Sequence, residues 1–168
     1  MSSYEFASPK ITTIGVYGFD ETGFFRALQE AGVGLFVDVR RRRGVRGREY
    51  AFVNSVRLQQ KLADLGILYR YEPALAPSQA IRQQQYAVDK SQKVAKRQRT
   101  TLDPAFIVAY QQENLTLFDS QQFIQSLPQD IRVITFFCVE REPDACHRSL
   151  IAHHLAQSLG LTVEHLKP

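Results

Sequence analysis

The residues best suited to chemistry are concentrated in the segment CVEREPDACHR, Cys138 to Arg148, which holds two thiols, a glutamate, an imidazole and a guanidinium. A thiol beside an imidazolium and near a helix start ionises more readily and can become a nucleophile, although the nearby carboxylate of Asp144 opposes that shift. Glu140 in a partly dry crevice can serve as a general acid or base. The unpaired N–H groups and positive dipole end of a helix starting here favour an anion, and Arg148 can grip one with two parallel hydrogen bonds. A second group lies earlier, at VDVR, where Asp38 can handle protons or simply orient the arginines, and Arg40 can hold an anion. Arg41, Arg42, Arg43, Arg46 and Arg48 follow at once, and their fixed charge and forked geometry suit phosphate contacts.

The plainer readings of these residues also bear on the chemistry. Cysteine packs well, so Cys138 and Cys146 can be small buried fillers. Cys138, Cys146 and His147 make three potential metal ligands, but neighbouring residues on a helix diverge by about 100° and the spacing matches no common zinc pattern. No metal and no cofactor are therefore expected. Asp38 stands where a dinucleotide site would carry its acid, yet Gly15, Gly18 and Gly23 miss the G-x-G-x-x-G spacing, which argues against a nicotinamide. His153 and His154 read as surface or packing residues. Tyr50 and Phe52 can stack on bases or anchor the arginine segment to the core. Lys90, Lys93, Lys96, Arg97 and Arg99 form a second basic cluster, read as the solvated face of a helix.

The elements that must position these groups follow from hydrophobic patterning. Ile11 to Tyr17 reads as a strand, and Asp20 can cap a helix that runs to about Ala31 and closes at Gly32. Gly34 to Val39 is a second strand, Asn54 can cap a helix carrying Leu58, Leu62 and Leu65, and Ile67 to Tyr71 is a third strand. A long polar helix is predicted from Gln79 to Arg99, and Asp103-Pro104 supplies the cap and first-turn proline of another. Ile131 to Cys138 is almost continuously apolar, as in a central strand covered on both faces. Asp144 can cap a last helix ending at Gly160, with Leu150, Ile151, Leu155 and Leu159 as its apolar stripe, and Leu161 to Leu166 is the final strand.

This alternation predicts a single-domain three-layer α/β sandwich with a mostly parallel, Rossmann-like sheet of about five strands over residues 11–168, preceded by a flexible arm at 1–10. Ligands in such sheets bind beyond the carboxyl ends of the strands, where strand order reverses. Tyr17, Asp38, Arg40, Cys138 and Glu140 all fall at strand ends, and Cys146, His147 and Arg148 fall at a helix start, so the groups should meet at one rim. A first strand lying beside both the second and the fourth is compatible with right-handed crossovers.

The chain has 168 residues, 44% of them hydrophobic, enough to bury a core without disulfide or metal support. Two cysteines and the lack of a long apolar run point to a cytoplasmic setting with no membrane partner. The net charge of +4 favours acidic ligands such as phosphates or nucleic acid.

TIGVYG at Thr13 to Gly18, VDVR at Val37 to Arg40 and CVEREPDACHR together resemble the domain-of-unknown-function 488 family, over about Ile11 to Leu166. Its most specific piece has the form C-x-E-x-x-P-x-x-C-H-R. The resemblance implies an α/β domain with a shared site and carries no established activity. Where many relatives have TIGHS, this chain has Val16 and Tyr17.

The leading functional expectation is an enzyme, a hydrolase or transferase, acting on a phosphate-bearing substrate with nucleic acid as one candidate. Asp38, Glu140, Cys138 and Cys146 are the candidate catalytic groups. Tyr17, Arg40, His147 and Arg148 would bind substrate, and Arg41, Arg42, Arg43, Arg46 and Arg48 would contact nucleic acid. The alternative is a non-catalytic nucleic-acid or partner-binding module that uses the arginine loop at 40–48. A redox sensor built on the two thiols is a third reading.

Overall fold

A computed structural model describes residues 8–168. Five strands, β1 (Lys10–Ile14), β2 (Leu35–Asp38), β3 (Leu68–Tyr71), β4 (Val133–Phe137) and β5 (Val163–Leu166), form one sheet in the order β3-β2-β4-β1-β5. Every neighbouring pair is parallel. The α-helices are α1 (Glu21–Glu30), α2 (Ser55–Asp64), α3 (Gln79–Ser91), α4 (Pro104–Glu113), α5 (Ser120–Gln125) and α6 (His147–Leu159). The architecture is the expected Rossmann-like α/β sheet. The expected arm at 1–10 falls largely on residues 1–7, outside the described residues, and Lys10 already opens β1.

The strand order corrects one expectation: β4, not β1, occupies the centre, with β2 on one side and β1 on the other. The apolar VITFF run explains this, because a central strand must bury side chains on both faces. Phe137 packs against Phe24 of α1 and against Phe36 of β2, while Phe136 meets Phe123 of α5 on the opposite face. The alternation of side chains along β4 thus joins two helical layers.

The connections after β1 and β2 step one way across the sheet, and those after β3 and β4 step back. Right-handed crossovers then send α1 and α2 to one face and α3 to α6 to the other. The exit of β4 consequently diverges from the exits of β1 and β2 on either side of it, and a crevice opens at the carboxyl end of β4.

Local signals held at some ends and failed at others. Asp20 caps α1 by accepting from the Gly23 amide at 2.7 Å, and Asp103 caps α4 by accepting from the Ala105 amide at 3.0 Å. Asn54 precedes α2 but does not cap it, because its Oδ1 accepts from the Val45 amide at 2.6 Å and so ties down the arginine loop. Asp144 does not cap α6 either. It lies in a short 3-10 turn, Pro143–Ala145, and the cap position falls to Cys146.

The long polar helix stops at Ser91, well short of Arg99. Lys93 adopts a left-handed φ of 55°, its amide bonds to the Lys90 carbonyl, and the Val94 amide returns to the Asp89 carbonyl at 2.9 Å. This pair of bonds is a Schellman ending, with lysine where glycine is usual. The chain then doubles back as a strap, residues 94–102, over the crevice, anchored where the Leu102 amide donates to the Asp144 carbonyl at 2.9 Å. No helix among the described residues is long and apolar enough to cross a membrane.

Candidate active site at the carboxyl end of the sheet

The close fit of β1 against the exit of β4 sets the floor of the crevice. A Cβ on Gly15 would stand 1.9 Å from the carbonyl oxygen of Glu140, so only glycine lets the two backbones approach this far. The amides of Val16 and Tyr17 both donate to the Val139 carbonyl, at 3.2 and 3.0 Å. Arg148, 1% exposed, completes the joint. Its Nη1 donates to the Glu140 carbonyl at 2.6 Å and its Nη2 to the Arg141 carbonyl at 3.2 Å. Expected to hold an anion, Arg148 instead braces the loop, because both terminal nitrogens are turned onto backbone oxygens.

Asp38 and Arg40 form a buried bidentate pair, Nε to Oδ1 at 2.9 Å and Nη2 to Oδ2 at 2.8 Å, and Tyr69 donates its hydroxyl to Oδ2 at 2.7 Å. With both oxygens engaged, Asp38 orients Arg40 and has no free lone pair aimed at a ligand. The guanidinium lies over the Phe137 ring at 4.7 Å, and its remaining terminal nitrogen, Nη1, is buried without a partner.

Glu140 is also buried, and among the described residues it is the only carboxylate on the wall of a pocket of about 540 Å³. Arg99 reaches it from the strap at 3.1 Å and also holds Asp89 of α3 at 3.2 Å, while Lys96 lies 3.7 Å away. Burial pushes the Glu140 carboxyl up, but the charges of Lys96 and Arg99, helped by the Cys146 thiol and His147, overcome it and lower the value to about 2. Glu140 is therefore ionised throughout the neutral range and acts as an acceptor. Burial, the largest influence on Lys96, lowers its pKa, but attraction to Glu140 joined by Cys138, Tyr86 and Tyr17 outweighs it, so the net shift runs upward.

These contacts correct part of the picture of Lys90 to Arg99 as a solvated helix face: Lys90, Lys93 and Arg97 are exposed, but Lys96 and Arg99 turn inward. Arg99 is 7% exposed and Lys96 is half-buried, because buried Asp89 and Glu140 draw them inward. Residue types alone carry one hint: α3 presents Ile81, Gln85 and Asp89 inward at helical spacing, so its core-facing stripe is partly polar and needs a partner.

Cys138, Cys146 and His147 lie together beneath Glu140, all buried and all lining the same pocket. A hydrogen bond with Cys146, followed by burial, pushes the Cys138 thiol well above its usual range, so it stays protonated near neutral pH. His147 Nε2 lies 2.8 Å from the Val39 carbonyl, and its Nδ1 is 3.8 Å from the Cys146 sulfur. Tyr17 lines the pocket as expected, with the Arg97 guanidinium 5.1 Å over its ring; burial, the largest influence, raises its hydroxyl pKa.

The arginine loop divides. Arg40, Arg41, Arg42 and Arg46 line the pocket, whereas Arg43 sits over the Tyr71 ring at 4.2 Å and Arg48 faces a neighbouring hollow beside Asp20 and Glu21. Tyr50 and Phe52 are buried in an aromatic cluster with Tyr17, Phe24 and Phe25, so they anchor the loop and are not free to stack on bases. His153 is exposed and His154 half-buried on α6, and neither lines the pocket. Lys96, Arg97 and Arg99, read from the sequence as a solvated face, and Arg82, which the sequence reading did not single out, all line it.

A family model described as domain of unknown function DUF488 matches residues 22–155, which include β2, β4 and the Cys138 to Arg148 segment. No curated protein and no solved structure matches the chain.

Proposed function

We propose, from the premise that the chain belongs to the DUF488 family of domains of unknown function, that it is an enzyme acting on a phosphate-bearing substrate held in the crevice at the end of β4. The observation that carries this reading is the composition of the wall. Eight arginine and lysine side chains face a single carboxylate, and Arg40 Nη1 and Arg99 Nε are buried there without partners. Desolvated guanidinium groups are costly unless an acceptor meets them, and a phosphate oxygen has the charge and geometry to do so.

In this reading the inner phosphate lies against Arg40, oriented by Asp38, and against Arg99. Arg41, Arg42 and Arg46 reach the mouth from the loop and would follow any further phosphates, as a nucleotide or short nucleic-acid strand would present them. Glu140 orients the attacking group by accepting a hydrogen bond from it, and the thiol-imidazole cluster beneath it faces the reacting atom. Arg148 and Gly15 act through position alone, by holding the floor in register.

The test pairs binding with turnover. Titration with inorganic pyrophosphate and with a short single-stranded oligonucleotide, repeated across salt concentrations, should show binding that weakens with salt and is reduced by Arg40→Ala and Arg42→Ala. Turnover on phosphate esters should fall at least about 100-fold in Glu140→Gln, with retained fold checked by circular dichroism. Turnover unchanged by Glu140→Gln overturns the enzyme reading. Salt-steep oligonucleotide binding without any turnover would favour the binding module.

A further inference from the structure

The floor of the pocket carries an arrangement that anion binding leaves unused. The sulfur atoms of Cys138 and Cys146 and a ring nitrogen of His147 all lie within 4.8 Å of one another. A tetrahedral ion bound at about 2.3 Å to sulfur and about 2.0 Å to imidazole nitrogen holds such atoms roughly 3.5 to 3.8 Å apart. The Cys146 sulfur is already 3.8 Å from His147 Nδ1, so closing around an ion needs shifts of at most about an ångström. Adjacency, which would splay these two side chains on a regular helix, does not separate them here. Cys146 is the cap of α6 with extended backbone, φ −143° and ψ 146°, and only His147 has entered the helix.

Two further observations come from the surroundings. A carbonyl oxygen can only accept, so the 2.8 Å contact with Val39 places the imidazole proton on Nε2 and leaves the Nδ1 lone pair facing the Cys146 sulfur. Donation of the distal N–H to a carbonyl is the usual support of a metal-bound histidine. Beside this group Glu140 Oε2 is buried without a hydrogen-bond partner, although the pocket reaches the residue.

We propose that Cys138, Cys146 and His147 bind one zinc-class divalent ion, with its fourth position open to the pocket and Glu140 beside that position as acceptor for a bound water. Two thiolates and an imidazole select a borderline-soft ion over magnesium or calcium. Three protein ligands with one open position match catalytic zinc sites, whereas structural sites close all four. The two thiols release their protons to solvent on binding, and the resulting thiolates cancel the charge of the ion. Bound water at such an ion becomes a nucleophile near neutral pH, which would supply the attacking group for hydrolysis. The site does not depend on the ligand being a phosphate, so metal binding and anion binding can fail separately.

The probe is Co2+ alone, titrated into the reduced full-length protein. The expected result is one ion per chain, a thiolate-to-cobalt charge-transfer band, the intense visible bands of tetrahedral cobalt, and displacement by Zn2+. Cys138→Ser, Cys146→Ser and His147→Ala should each weaken binding at least about tenfold. His153→Ala, which removes a histidine of α6 outside the pocket, should leave the titration unchanged. X-ray absorption of the zinc-loaded native protein needs no variant to fold, and should give two sulfurs near about 2.3 Å and one imidazole nitrogen near about 2.0 Å. A reduced protein without the thiolate band, a zinc shell without sulfur, or unchanged affinity in either cysteine variant overturns the site. A Cys138–Cys146 disulfide that re-forms while no metal is taken up overturns it in favour of a redox pair.

Discussion

Two basic runs of similar composition end in opposite environments. The loop after β2 carries Arg41, Arg42 and Arg46 to the mouth of the pocket, where all three are exposed. The strap after α3 turns Arg99 into the interior and half-buries Lys96. What differs is the acid each run meets. Asp38, the buried acid nearest the first run, is already occupied by Arg40 and Tyr69, while among the described residues the positive partners of Asp89 and Glu140 come from the strap, with Gln85 also on Asp89. A run of positive charge is thus solvated or buried according to the acids left unpaired elsewhere in the fold, a property that its own sequence does not contain.

The contrast can be broken most forcefully at Arg99. Arg99→Ala leaves two buried carboxylates short of a partner, and urea denaturation should report a loss of about 3 to 5 kcal/mol. A double-mutant cycle of Arg99→Ala with Asp89→Ala should show coupling of about 1 kcal/mol or more, because the second change removes a charge that the first had stranded. Lys96→Ala, half-exposed and 3.7 Å from Glu140, should cost about 1 kcal/mol in the same measurement. Arg42→Ala and Arg41→Ala should stay within about 0.5 kcal/mol of the native stability. Each should nevertheless reduce the salt slope of oligonucleotide binding by about one, a change that the larger stability loss of Arg99→Ala would mask. Equal stability losses from Arg42→Ala and Arg99→Ala would erase the distinction.

Much of the fold was legible because it rests on short-range signals. The apolar strand runs, Asp20 and Asp103 as caps and Gly160 as terminator with φ 67° each act within a few residues. Rim positions for Asp38, Arg40, Cys138 and Glu140 followed from strand ends and that of Cys146 from a helix start; Arg40, Cys138, Glu140 and Cys146 line one crevice, with Asp38 buried behind Arg40. Strand order was not legible, since which strand takes the centre depends on competition among all five. The role of Arg148 was misread, and the choice for Asp38 between handling protons and orienting an arginine stayed open, for a similar reason: a guanidinium or carboxylate cannot be recognised as spent until its partners are seen. The strap was missed because the inward stripe of α3 is half polar, and polar residues at helical spacing read as surface. Adjacency of Cys146 and His147 counted against a metal only while both were placed on a helix, and the extended cap removes that objection.

Lys93 shows local and distant forces in direct opposition. A left-handed backbone costs a residue bearing a side chain about 1 to 2 kcal/mol, and the residues on either side would readily continue as helix. Ion pairs formed several residues later hold the bend against that preference, so the strap resembles a sprung catch more than a passive loop. Withdrawing the acids that pull on it would let α3 lengthen, and the cost of unlatching would surface as added helical signal and not simply as disorder.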